Sequence, residues 1–190
     1  MIQFQNHAKT AGFWQLIMVC YRKRRAFMVQ DTEPQFIEVG SGAEARRIAV
    51  RYRDGNAPIL VWLGGYRSDM LGTKAEAINQ WAAGRQLANL RHDYSGHGES
   101  GGEFRGGTIS RWLEESLAVF DRFADGRPAI LIGSSMGAWI ALKMAQKLHS
   151  QGRSTELQGL LLLAPAPDFT AELMMPELSD EHRRQLETQG

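Results

Sequence analysis

Hydrophobic and polar positions alternate along QFIEV (35–39) and ARRIAVRYR (45–53), and both segments carry the β-branched residues that suit half-buried strands. GSG (40–42) separates them and reads as a hairpin turn, so the pair is expected as antiparallel edge strands. The alternation then stops. APILVWLGG (57–65) is a continuous apolar run closed by glycines, the pattern of a strand covered on both faces in a mainly parallel sheet. Beyond it, DMLGTKAEAINQWAAGRQLA (69–88) reads as a helix and NLRHDYSG (89–96) as a short strand. TISRWLEESLAVFDRFA (108–124) reads as a second helix, with Ile109, Trp112, Leu113, Leu117, Phe120 and Phe123 at helical spacing and Thr108 or Ser110 as its cap. PAILIGSS (128–135), MGAWIALKMAQKLHS (136–150) and LQGLLLLAP (157–165) continue as strand, helix and strand. Such alternation predicts an α/β fold, a doubly wound, mainly parallel sheet with helices on both faces. Ligands of these sheets bind at the carboxyl ends of the strands, and the loops GGYRSDM, SGHGESGGEFRGG and GSSMG each follow such an end.

A chain of 190 residues, 43% hydrophobic and 23% charged, suffices for one globular domain with a continuous core, and no internal repeat divides it. Its net charge of +1 favours neither nucleic acid nor membrane as a partner. The single cysteine, Cys20, excludes an intrachain disulfide framework and a CxxC zinc pair, which makes the cytoplasm the expected location. GFWQLIMVCY (12–21) falls short of the roughly 20 apolar residues of a spanning helix. It also lacks a small-residue cleavage site and is followed by RKRR (22–25), charge on the wrong side for a secretory signal. No membrane span is expected, and the basic cluster reads as a solvated tail.

Gly133-Ser134-Ser135-Met136-Gly137 matches G-x-S-x-G. Alone the pattern is weak, because glycine and serine are common in turns. Here it sits between a strand and a helix, where a sharp turn holds the central serine in a strained conformation with its hydroxyl clear of the sheet. Ser135 is therefore the candidate nucleophile and Ser134 structural. The helix starting at Met136 aims N–H groups and its positive dipole end at the same spot, which makes the Met136 N–H a candidate oxyanion donor. GYRSDMLGTKA does not make a phosphate loop: Thr73 precedes Lys74, and neither order nor spacing fits G-x-x-x-x-G-K-[ST].

With these residues in place the chain resembles the α/β-hydrolase family over about residues 35–175. LVWLGGYRSDMLGTKA is placed like the family's oxyanion loop, and RHDYSGHGESGGEF like the glycine-rich loop after its next strand. Together with GTISRWLEE, these segments are similar to a serine esterase and thioesterase branch, the bacterial relatives of the mitochondrial acyl-protein thioesterase, whose members cleave S-acyl cysteine or small acyl esters. The resemblance implies a serine hydrolase acting on ester or thioester substrates, small-molecule or acylated, with no metal and no organic cofactor. Where the family has His-Gly-x this chain has Gly64-Gly65-Tyr66, which makes the Tyr66 N–H the second oxyanion donor by resemblance; the bland reading of these residues is a tight turn.

The family order is nucleophile, acid, histidine, so His97 in SGHGES, preceding Ser135, reads as a loop residue with a structural hydrogen bond, alongside Asp93 and Glu99; His92 reads as sheet-end structure. His149 lies about 14 residues along the helix, roughly 20 Å from the turn, and cannot reach. Asp168 and His182 stand in the right order, but His182 belongs to LSDEHRRQLETQ, polar on nearly every side, which reads as a solvated helix. The triad acid and histidine are thus expected beyond Gly190. The expected domains are an extension over 1–34, the hydrolase core over 35–167 and the start of a cap over 168–190. A catalytically incomplete fragment or a non-catalytic binding module of the same fold is the competing reading. The apolar strand 157–165 would then lie at an edge, and the chain is expected to self-associate and to be a poor catalyst. Met28 begins MVQDTEPQFIEVG, which reads like a natural start. Deleting residues 1–27 is expected to change the free energy of urea unfolding by no more than about 1 kcal/mol; a larger loss would show that FWQLIMVC packs into the core.

Overall fold

A computed structural model describes residues 31–168 and 175–189, with the side chains of the last helix described to Gln185. The chain divides into two compact units, Met1–Asp31 and Thr32–Gly190. The expected extension over 1–34 lies outside the described residues up to residue 30.

Six strands form one sheet: β1 (Gln35–Val39), β2 (Arg46–Arg53), β3 (Asn56–Leu63), β4 (Leu87–His92), β5 (Ala129–Ser134) and β6 (Leu157–Leu163), in the order β1-β2-β4-β3-β5-β6. β4, β3, β5 and β6 run parallel, while β1 and β2 join antiparallel, β2 against β4. Helix α1 (Thr73–Ala83) connects β3 to β4, α2 (Ile109–Ala124) connects β4 to β5, and α3 (Met136–Ser150) connects β5 to β6. A fourth helix, α4, spans Asp180–Gln189. The mainly parallel, doubly wound α/β sheet expected from the alternation is present.

The apolar run of β3 explains its central place. Ile59, Val61 and Leu63 enter one core with Leu131, Trp112, Phe120, Ile140 and Met144, while Leu60 and Trp62 enter the opposite core with Ala75, Ala82 and Ile132. A two-residue side-chain period sends each half of the run to one face. α1 therefore covers one side and α2 and α3 the other. Thr108 caps α2 as expected, its Oγ1 accepting from the Arg111 N–H at 3.1 Å.

Two expectations need correction. Residues 45–53 are not an edge strand: β2 lies between β1 and β4, with Ile48, Ala49 and Val50 fully buried. The polar alternation misled because its arginines are paired. Arg46 is buried against Glu115 at 2.7 Å and Glu114 at 2.6 Å, and Arg51 meets Glu99 at 2.8 Å. The helix expected over 69–88 is shorter at both ends. Asp69–Gly72 is a turn closed by the Gly72 N–H on the Asp69 carbonyl, and Gly84 ends the helix, after which Leu87 and Ala88 already belong to β4. β6 stands at the sheet edge with Leu160 and Leu161 38% and 48% exposed. Among the described residues no helix is long and apolar enough to cross a membrane.

His92, at the end of β4, is buried, and burial pushes its pKa from 6.5 down to about 4. The Ser116 hydroxyl donates to the Trp112 carbonyl at 2.7 Å, so the His92 Nε2–H donates to Ser116 Oγ at 3.1 Å and the neutral ring is the native form. Between pH 6.5 and 4 the unfolded chain binds a proton that the folded chain does not, so stability is complete above this window and falls as pH drops through it. The loss is about 3 kcal/mol. Urea unfolding measured across this range should show that limb in the parent and a much flatter one in His92→Leu, which leaves Ser116 its carbonyl partner.

Candidate active site

The turn from β5 into α3 is made by one residue. Ser135 has φ 55° and ψ −119°, a region that costs a non-glycine residue about 1–3 kcal/mol and persists only where its surroundings enforce it. They do so on both sides. The Ser135 N–H donates to the Leu163 carbonyl of β6 at 2.9 Å, and the Ser135 carbonyl accepts from the Ala138 N–H at 3.0 Å. The flanking glycines make room: a Cβ on Gly133 would lie 2.5 Å from Ala138 Cα, and one on Gly137 would collide with the Leu63 and Gly64 carbonyls. α3 thus starts directly against the end of β3.

The half-buried Ser135 accordingly stands at the head of α3. Met136 is the first residue of that helix, and first-turn N–H groups have no intrahelical acceptor. The loop after β3 passes alongside, so that a Cβ on Gly65 would lie 3.5 Å from Ser135 Cβ. That loop is held by its carbonyls. The buried Tyr94 hydroxyl donates to Gly64 O at 3.2 Å, and Ser68 donates to Gly65 O through Oγ at 2.8 Å and through N at 3.1 Å. Since C=O and N–H of a trans peptide point opposite ways, the Tyr66 N–H is directed out of this turn. The Tyr66 ring is exposed and packs edge-on against Phe104 at 5.0 Å.

The topology explains why these pieces meet. β4 lies on one side of β3 and β5 on the other, so the chain reverses its winding between β3 and β5, the position at which sheets of this kind bind ligands.

Asp93 fastens the surrounding loops. Its Oδ1 accepts from the Met70 N–H at 2.7 Å and its Oδ2 from the Glu99 N–H at 2.8 Å. Burial pushes its pKa up, opposed by those two hydrogen bonds. Glu115, fully buried on α2, accepts from the Ser95 N–H at 2.9 Å and from Arg46. Residue-by-residue reading placed Asp93 in a loop without a role and passed over Glu115. A carboxylate three residues after Trp112 on the apolar face of a helix was the available signal.

The histidines are placed as follows. His97 is buried, with Nδ1 3.2 Å from the Ser95 carbonyl and its ring against Tyr94, Phe104 and Trp112, in line with the structural loop role expected. Burial pushes its pKa down, partly offset by Ser95, Asp93 and Glu115. His149 Nδ1 meets Ser154 Oγ at 3.0 Å. His182 is exposed on α4, its N–H donating to Ser179 Oγ at 3.3 Å. Among the described residues neither Asp168 nor any of these histidines hydrogen-bonds Ser135, and Asp168 does not hydrogen-bond His182.

Comparison with known proteins shows the family and the fold. The profile of the family described as serine aminopeptidase, S33, matches residues 56–185. The chain belongs to this α/β-hydrolase family. It is 35% identical over 143 residues to the mitochondrial palmitoyl-protein thioesterase ABHD10 of Pongo abelii and 34% identical to that of Homo sapiens, each match covering 75% of this chain. The chain spans 44% of the length of those curated relatives. Among solved structures, a putative hydrolase from Agrobacterium vitis S4 is 50% identical with a TM-score of 0.75 over 83% of this chain and 62% of its own. Mouse alpha/beta hydrolase domain-containing protein 10 is 28% identical with a TM-score of 0.68, over 84% of this chain and 60% of its own.

Gly137→Ala should cost at least about 2 kcal/mol, because its methyl meets backbone carbonyls that cannot swing aside. Chemical denaturation beside an exposed helix control, Gln146→Ala, checks this; equal midpoints would show that α3 is not pinned to β3.

Proposed function

We propose that the protein is a serine hydrolase of carboxylic esters or thioesters. Ser135 Oγ attacks the acyl carbonyl and the Met136 and Tyr66 N–H groups receive the oxyanion. As the tetrahedral species collapses, the bond to the alcohol or thiol breaks and that group leaves with the proton given up by Ser135. Water then adds to the acyl-enzyme, returns a proton to Ser135 and releases the acid. The strained backbone of Ser135 at the head of α3, with Gly65 of the β3 loop beside it, carries this reading. A hydrogen-bonding N–H pair aimed at a developing oxyanion lowers such barriers by several kcal/mol. The thioesterase named in the curated relatives supports acyl transfer as the chemistry and an acylated or small-molecule ester as the substrate. The cytoplasm remains the proposed location.

A second reading is a non-catalytic module, or a catalytically incomplete fragment, that keeps the crevice. Its specific support is that His92, His97 and His149 are each engaged with a serine away from Ser135. A serine nucleophile needs a base worth about 10²–10⁴ in rate. A fluorophosphonate probe followed by peptide mapping separates the readings. Ser135 is expected to be the labelled serine and Ser135→Ala to lose the label; persistence of labelling in that variant would refute the assignment.

A further inference from the structure

The loop that passes Ser135 is held at both ends and again in its middle. Upstream the Tyr94 hydroxyl takes the Gly64 carbonyl, and downstream Asp93 Oδ1 takes the Met70 N–H. Between them Gly65–Ser68 folds as a turn, in which the Ser68 N–H donates to the Gly65 carbonyl at 3.1 Å. Arg67, third in that turn, has φ 56°, a left-handed conformation that glycine adopts freely and a longer side chain does not. Such a conformation persists only where the surroundings enforce it. A second donor on the same oxygen supplies part of that constraint: Ser68 Oγ lies 2.8 Å from Gly65 O.

The peptide held in this way is the one beside the nucleophile. A Cβ on Gly65 would lie 3.2 Å from the Ser134 carbonyl oxygen and 3.5 Å from Ser135 Cβ, so a side chain fits there only if its neighbours move. Glycine permits the close approach, but it also frees the backbone to rotate. The Gly65 C=O and the Tyr66 N–H belong to one planar trans peptide and point opposite ways. Rotation of that unit would exchange them, and a carbonyl oxygen in place of the N–H would repel a developing oxyanion. The two donations from Ser68 occupy both lone pairs of the Gly65 oxygen, and each is lost if the unit turns. Donation to a carbonyl also polarises the N–H of the same peptide and strengthens it as a donor. Ser68 is exposed, so its hydroxyl contributes direction and not burial.

We infer that Ser68 is a positioning residue for the hydrolase reaction. Its hydroxyl keeps the Gly65–Tyr66 peptide turned so that the Tyr66 N–H, and not the Gly65 carbonyl, meets the oxyanion. The inference rests on the hydrolase reading for the role of that N–H. Ser68 acts through the peptide and takes no part in bond making.

The test is the rate at which a fluorophosphonate labels Ser135 over a range of probe concentrations, which separates probe binding (KI) from the bond-forming step (kinact). In that step Ser135 Oγ displaces fluoride while the phosphonyl oxygen takes the place of the oxyanion. Loss of an oxyanion donor costs about 10²–10³ in rate, so a donor retained but no longer held in direction is expected to cost about tenfold. Ser68→Ala should lower kinact by that factor, with KI and the final labelled fraction those of the parent. Ser68→Thr, which keeps the hydroxyl, should restore most of the rate. In the ¹³C,¹⁵N-labelled chain the Gly65 carbonyl resonance should move upfield in Ser68→Ala and return in Ser68→Thr. An unchanged kinact or an unmoved Gly65 carbonyl in Ser68→Ala, or a Ser68→Thr variant as slow as the alanine, would overturn the inference. So would a loss confined to KI or to the labelled fraction, which is what a merely structural role gives. A parent that takes no label at Ser135 would instead refute the hydrolase reading, and with it the role of the N–H that Ser68 positions.

Discussion

The structure depends on a chain reversal made in a single residue. β5 must end and α3 begin at Ser135, and the backbone conformation this demands is unfavourable on its own. It is held because the helix is pressed onto the sheet. Gly133 admits the first turn of α3 against the strand, and Gly137 admits the ends of β3 against the helix. The Leu163 carbonyl of β6 takes the Ser135 N–H. Burial of Met136, Ile140, Met144 and Leu148 in the main core supplies the favourable term, since each apolar side chain of this size contributes about 1.5–3 kcal/mol on leaving water. Strain at the serine is thus a by-product of packing that the rest of the domain needs anyway.

The loops around that turn are ordered by buried carboxylates as well as by ring contacts. Asp93 joins the Met70 N–H of one loop to the Glu99 N–H of the next, and Glu115 ties the Ser95 N–H to Arg46 of β2. A buried charge is costly unless its acceptor sites are filled, and these are filled by backbone donors and an arginine. The result helps to fix the loops beside Ser135 above the core that Tyr94, Trp112 and Met136 share. Tyr94 adds the phenol that holds the Gly64 carbonyl.

A site of this kind is built from groups of low individual specificity. Serine, glycine and backbone N–H groups occur throughout the chain. What gives them chemical meaning is that β3 and β5 are neighbours and end together, so that the loop of one faces the helix of the other. The fold is shared with solved structures 50% and 28% identical to this chain, so the backbone frame persists while many side chains change.

The sequence by itself determined the class of fold and the place of the turn. The apolar run at 57–63 could only be a strand covered on both faces, the period of 108–124 was helical with Thr108 at its start, and G-S-S-M-G between strand and helix left one conformation open to Ser135. These are local or periodic properties, readable because burial imposes them on consecutive residues. Tertiary structure alone decided that β2 is interior, since Arg46 is buried against Glu114 and Glu115, and Arg51 is paired with Glu99, only when those carboxylates arrive from other elements. It also decided where α1 stops and that Asp93 clasps two loops. Pairings between distant residues leave no periodic trace, because each is fixed by the path of the backbone through space and by what fills the last hydrogen bond of a buried group.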